Sequence, residues 1–242
     1  MGKLAQIASF GDGSAEDDDA VLSYFLKIDA VDQIESGKKY VVIGRKGSGK
    51  TALVKYFSQP HPGYISESPS LRDYPWNLHS KRKNLGASDI ESYVSSWRYL
   101  VAVRANSALL SKYGMPQNTD AQRAARDFLH DNYGGSAPNL REILAPKRLK
   151  ITKRIISPQI AGFAAGGIEI ENDQGGVSPE LDLLTDALLT NAKTFCSQVS
   201  AGHIDLHFDE LDQGLSTLDK KHREMITGLI LATSTTLAEG DF

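Results

Sequence analysis

Cysteine is almost absent: Cys196 is the single one in 242 residues. An intramolecular disulfide is therefore excluded, as is a cysteine-clustered zinc or iron–sulfur site. No apolar run approaches the roughly 20 residues that a membrane-spanning helix needs. The opening, MGKLAQIASFGDGSAEDDD, turns acidic where a signal peptide would show a long apolar stretch. An excess of charge is missing too. The 27 Lys and Arg stand against 30 Asp and Glu, a net −3, so any contact with DNA or anionic lipid would need a local patch. There is neither an internal repeat nor a low-complexity tract. The remainder, 40% hydrophobic and 24% charged, has the composition of a soluble globular protein. A reduced cytoplasmic setting without a membrane partner is the expectation, and the length suits one large domain or two small ones.

The pattern along the chain alternates helix and strand. Asp17 to Ile34 reads as a helix, with Asp17, Asp18 and Asp19 at its positive end and Val21, Leu22, Phe25, Leu26 and Ile28 on an apolar face. KKYVVIG, residues 38 to 44, reads as a buried strand, followed by a Gly-rich turn and a helix from Gly49 to about Ser58. Tyr64 to Ser66 is a second short strand. A long helix starts near Ser88 and stops at Gly114 and Pro116, with Trp97 on its apolar face as a core residue. Asp120 to Asn132 is another helix, followed by a loop. Residues 148 to 156 and 163 to 171 form either a hairpin or two edge strands. Ser178 and Pro179 open a helix to about Ser200, His203 to Phe208 is a strand, and a last helix covers Leu218 to Leu237.

GRKGSGKT, from Gly44 to Thr51, satisfies the G-x-x-x-x-G-K-[ST] pattern completely, and it lies between a predicted strand and a predicted helix. Average residue usage gives such a match somewhere in a chain this long a chance of only about 1%. Glycine at 44, 47 and 49 permits backbone conformations and close approaches that a Cβ would block. Successive N–H groups can then turn toward a triphosphate, with the helix N-terminus adding positive potential. The expected binding segment is Gly44, Arg45, Lys46, Gly47, Ser48, Gly49, Lys50, Thr51 and Ala52. Lys50 would reach the β- and γ-phosphates, and the Thr51 hydroxyl would ligate Mg²⁺.

IDLHFDELD, from Ile204 to Asp212, resembles a Walker B strand. Asp209 at its end would hold Mg²⁺ through water, and Glu210 would polarise the attacking water as general base. Asp205 and His207 alternate with Ile204, Leu206 and Phe208, whereas a central parallel strand is usually apolar throughout. His207 is expected to be a packed or hydrogen-bonded neighbour rather than a metal ligand.

GRKGSGKTAL, the AEDDD segment before it, the LRDYPW segment after it and FDELD together resemble bacterial P-loop ATPases of the AAA/STAND-like type. More narrowly, they resemble the large ATPases encoded in anti-phage and other conflict loci. The resemblance implies an α/β three-layer sandwich of the additional-strand (ASCE) class. Its sheet would be mainly parallel, with a helical and β insertion between the Walker motifs. It also implies ATP as nucleotide, Glu210 as the catalytic glutamate, and nucleotide-dependent switching or assembly with further copies or an effector. On this basis residues 1–242 form one ATPase domain. Residues 1–37 are an N-terminal helical segment, 38–67 the Walker A strand, loop and helix, 68–177 the insertion, and 178–242 the Walker B portion. Such domains continue after Walker B with a helix and a strand bearing a polar sensor, so the chain is expected to be C-terminally incomplete. The resemblance implies an ATPase that hydrolyses the phosphoric anhydride bond of ATP.

Two alternatives stand beside the switch: a DNA-dependent helicase or translocase, since DELD fits D-E-x-D, and a non-hydrolysing scaffold held in shape by nucleotide. The long interval between Thr51 and Asp209 disfavours a compact helicase lobe, and no LSGGQ-like signature points to an ABC-type ATPase. KRLKITKR, from Lys147 to Arg154, and Lys81 to Lys83 are the basic runs a nucleic acid would use. Alternation of Leu149 and Ile151 with charges favours a solvated strand face instead. Trp76 is a loop anchor or a partner contact. Arg72, Arg98, Arg148 and Arg223 are all eligible as arginine fingers.

Overall fold

In the computed structural model, the structure describes residues 15, 18–60, 63–69, 71, 88–114, 119–145, 148–151, 155, 168–171, 179–211 and 219–238. The chain divides into two compact units, Met1–Pro60 and His61–Phe242.

The first unit holds a 3-10 turn at Val21–Ser23 and two helices, α1 (Asp29–Glu35) and α2 (Lys50–Phe57). Val21, Val31 and Phe57 are its buried apolar residues, and the Phe25 ring stacks on Tyr56 at 4.7 Å. The continuous helix expected from Asp17 to Ile34 is broken. Asp18, buried to 3% exposure, accepts the Ala20 N–H at 2.8 Å and the Tyr24 hydroxyl. A short acidic side chain bonding its neighbours stabilises a turn at the expense of helix. Ile28 is then extended, and α1 starts afresh at Asp29.

The strand expected at 38–44 is also not formed. The amides of Lys38 and Lys39 both donate to Gln33 O, at 3.0 and 3.1 Å, closing the end of α1. Gly37 supports that closure with a φ of +68°. Tyr40, Val41, Val42 and Ile43 follow as irregular, exposed chain, with Ile43 at 92% exposure. High β propensity does not make a strand without a partner to complete the ladder.

The second unit is built around the helix α3 (Asp89–Tyr113). Ser88 and Glu91 form a reciprocal capping box at its start. Small residues such as Ala102, Ala105, Ser107 and Ala108 are buried along with Trp97, Tyr99, Leu100, Val103 and Leu109. Burial around most of its circumference marks a central helix. Around it lie α4 (Asp120–Tyr133), the short α5 (Leu140–Leu144), α6 (Pro179–Val199) and α7 (Lys220–Ala238). The long helices match expectation within two residues at their described ends, though Ser178 lies outside the described residues. Cys196 on α6 is half-buried, and burial pushes its thiol up, away from the reactive thiolate.

Two asparagines inside this core bridge its helices. Asn106 donates to Ala102 O and Leu188 O, both at 2.9 Å, and Asn191 donates to Asn106 Oδ1 at 2.8 Å and to Ala121 O at 3.0 Å. These bonds tie α3, α4 and α6 in one register. The contact of α3 with α7 depends on Gly228. A Cβ there would lie 2.6 Å from Tyr93 Cβ and 3.2 Å from Tyr93 C. Gly228→Ala should therefore destabilise the protein by about 1–3 kcal/mol despite alanine's better helix propensity. An unchanged midpoint in chemical denaturation would show that the two helices can separate without cost.

Two small sheets complete the unit. Strands β2 (Arg148–Ile151) and β3 (Ile168–Glu171) pair antiparallel, with Arg148 opposite Glu171 and Ile151 opposite Ile168. Buried Leu149 beside exposed Lys150 fits the solvated face expected of the basic run; Lys147 and residues 152–154 lie outside the described residues. Strands β1 (Ile65–Glu67) and β4 (Ile204–Leu206) pair parallel, Ile65 opposite Ile204 and Glu67 opposite Leu206. Ile65, Ile204, Leu206 and Phe208 join the α3 core, so Ser66, Asp205 and His207 occupy the opposite face.

Candidate functional site

Within Gly44–Thr51 of the first unit, two glycines take a left-handed backbone, and α2 begins at Lys50, although the strand expected before the loop is not formed. Gly47 and Gly49 lie at φ of +79° and +86°, a region L side chains rarely adopt. Gly49 is the left-handed cap of α2, and Lys50 behind it is helical. A left-handed residue followed by a helical one turns neighbouring N–H groups into a concavity that suits an anion. At Gly44 the constraint is different: a Cβ there would meet Ser48 Oγ at 2.3 Å, so a larger residue needs the serine side chain to turn away. The turn is closed by Ser48 N–H donating to Arg45 O at 3.1 Å.

Lys50 folds back over this loop, donating from Nζ to Gly44 O at 2.9 Å and to Arg45 O at 3.1 Å. Its ammonium therefore sits against the loop backbone, where a bound phosphate would need a cation. Thr51 and Ala52 follow in the first turn of α2, half-buried, and residues 44–49 are exposed. Glycine conformation, helix start and cation together fit a polyphosphate chemically.

In the second unit, Asp209 and Glu210 follow the carboxyl end of β4. The last ladder bond runs from His207 N–H to Glu67 O at 2.8 Å. Glu210 then takes a left-handed φ of +59°, and its N–H donates to Asp209 Oδ1 at 2.8 Å. For a non-glycine residue that conformation costs about 1–3 kcal/mol, and such strain concentrates at functional sites. Both carboxylates are half-buried. Asp212 lies outside the described residues.

His207 is hydrogen-bonded, as expected of a packed neighbour: its Nε2 meets Ser66 Oγ at 3.0 Å. Burial lowers its pKa from the ordinary histidine value, only partly offset by the nearby Asp205 carboxylate. Among the described residues, no group of three or more His, Cys, Asp or Glu side chains is arranged to hold a metal ion. Magnesium bound with a nucleotide needs only one or two protein oxygens, the rest coming from phosphate and water. Thr51 in the first unit and Asp209 in the second each carry an oxygen donor of a kind Mg²⁺ accepts.

The arginines separate by environment. Arg98 pairs with Asp186 at 3.0 Å, and Arg223 is exposed on α7. Arg72, Trp76, residues 81–83 and the Arg148 side chain lie outside the described residues. Trp97 is fully buried, as its helical face implied, and its Nε1 donates to Met225 O at 2.9 Å. Sequence reasoning missed Arg104, which reaches from α3 to the Glu67 carboxylate at the end of β1. It also missed Ser66 as the partner of His207. Neither residue stands in a motif: the parallel register of β1 and β4 brings Ser66 to this edge, and packing of α3 brings Arg104.

No helix among the described residues is long and apolar enough to cross a membrane. The chain matches no protein-family model, no curated protein and no solved structure.

Proposed function

We propose that this chain binds ATP with Mg²⁺ through Gly44–Ala52 and is the nucleotide-binding part of a hydrolysing switch. One observation carries the reading. A complete G-x-x-x-x-G-K-T segment has left-handed glycines at 47 and 49 and a helix that begins at its lysine. In this role the loop amides and the Lys50 ammonium would hold the β- and γ-phosphates, the Thr51 hydroxyl would ligate Mg²⁺, Asp209 would hold it through water, and Glu210 would accept a proton from the attacking water. Bound Mg²⁺ would supply neutralisation of phosphate charge. The accompanying fold proposal is an α/β P-loop domain with a mainly parallel sheet, supported by the parallel pairing of β1 with β4 across an intervening set of helices. The resemblance to ATPases of conflict loci extends the proposal to assembly with other copies or an effector, with anti-phage defence as the setting.

Calorimetric titration tests it directly. Mg·ATP should saturate a single site per chain, ADP should compete, and adenosine without phosphates should not. Absence of binding up to millimolar Mg·ATP would remove the proposal.

A further inference from the structure

We propose that Ser66 and His207 are positioning residues that, together with Trp97 and Phe208, aim the Asp209–Glu210 carboxylates at the edge of β4. The inference rests on the assignment of Glu210 as the proton acceptor in hydrolysis.

Beyond His207 N–H the ladder between β1 and β4 has ended, so ladder bonds no longer fix the direction of the chain. Side chains do so, from both faces. On the α3 face, the Phe208 ring meets Trp97 edge-on, with centroids 5.7 Å apart and planes at 68°. Trp97 is itself anchored to Met225 O of α7. Also reaching across from α3, Arg104 holds Glu67, whose carbonyl receives that last ladder bond. On the opposite face, the His207 imidazole is tied to Ser66 Oγ at 3.0 Å.

His207 and Phe208, the two residues that follow β4, are thus gripped from opposite sides immediately before the acidic pair. The next two residues are Asp209 and Glu210, the latter in its left-handed conformation. A small rotation about the His207 backbone would displace both carboxylates. Misplacement by about 1 Å can cost roughly a hundredfold in rate. The α3-face ties are built into the core and cannot be removed without harming the fold. The Ser66–His207 bond lies on the opposite face and is half-buried, outside the α3 core.

The test compares Ser66→Ala, Ser66→Thr, His207→Leu and His207→Gln in the full chain. Ser66→Ala and His207→Leu should each lower kcat about 10- to 100-fold, the range seen when supports of a site's ligands are lost. KM and the Kd for ATP should stay within about twofold. Ser66→Thr and His207→Gln keep hydrogen-bonding groups and should recover most of the rate. Hydrogen exchange gives a readout without turnover. The Glu210 amide, bonded to Asp209, should exchange about tenfold faster in Ser66→Ala than in Ser66→Thr.

Equal kcat and equal Glu210 exchange in Ser66→Ala and wild type would overturn the clamp. So would an equal loss in Ser66→Thr, since the hydrogen bond would then not be the cause. If Ser66→Ala fails to fold, His207→Leu is compared with His207→Gln: a loss of rate confined to the leucine variant supports the clamp, and equal rates in the two overturn it. Glu210→Gln sets the floor of activity. Full turnover there overturns both the base assignment and the clamp, whereas an inactive Glu210→Gln beside fully active Ser66→Ala and His207→Leu overturns the clamp alone.

Discussion

Replacing Lys50 with alanine is expected to weaken ATP binding at least about a hundredfold. In the proposed site the ammonium would donate to two phosphate groups, and hydrogen bonds to charged partners are each worth about 1.5–3 kcal/mol. Loss of two such bonds is therefore roughly 3 kcal/mol or more, which is two orders of magnitude or more in Kd. A competing possibility is that Lys50 only braces the loop through Gly44 O and Arg45 O. The two roles separate by measurement. Those hydrogen bonds are exposed, so the nucleotide-free midpoint of Lys50→Ala should stay within about 0.5 kcal/mol of wild type. Affinity for ADP should fall as well, because the β-phosphate contact is shared. Titration of the variant with Mg·ATP decides it, and an unchanged Kd would strip Lys50 of its phosphate role.

The structure separates what a sequence can show from what it cannot. Ser88 three residues before Glu91, Thr119 before Asp120, and the apolar face through Trp97 are local signals, and the helices they predict are present. The Asn139–Glu142 box is the same kind of signal in a shorter stretch, and it capped a helix, α5, read as loop. The glycines at 47 and 49 were equally legible, because glycine is the residue that admits a positive φ without steric cost.

What failed depended on partners. Asp17–Ile34 had helical spacing, but the buried Asp18 carboxylate satisfied Ala20 and Tyr24 and made a turn. Tyr40–Ile43 had the composition of a strand, yet the preceding amides are spent on Gln33 and no ladder is formed. If nucleotide orders this segment as the proposed fold requires, its amides should gain protection from hydrogen exchange. At the acidic edge, Asp209 and Glu210 could be named from DELD. The contacts that orient them come from Ser66 and Trp97, distant in sequence, and no spacing rule reaches that far.

Glu210→Gln should leave ATP affinity within about twofold of wild type and slow turnover about 10²- to 10⁴-fold, the contribution of a positioned general base. Glutamine keeps the volume and a hydrogen-bonding oxygen but cannot take a proton from water at neutral pH. Its backbone can hold the same left-handed conformation at the same cost, so the melting temperature should barely move. Glu210→Gly supplies the contrast. Glycine adopts a φ near +59° without steric penalty, which releases strain of about 1–2 kcal/mol, partly offset by the greater freedom glycine gives the unfolded chain. That variant should be at least as stable as wild type while being as inactive as Glu210→Gln. Higher stability with lost turnover would show that the chain tolerates strain here for the sake of the carboxylate. A fall in stability in Glu210→Gly would mean that the side chain holds the turn together, and full turnover in Glu210→Gln would end its assignment as the base.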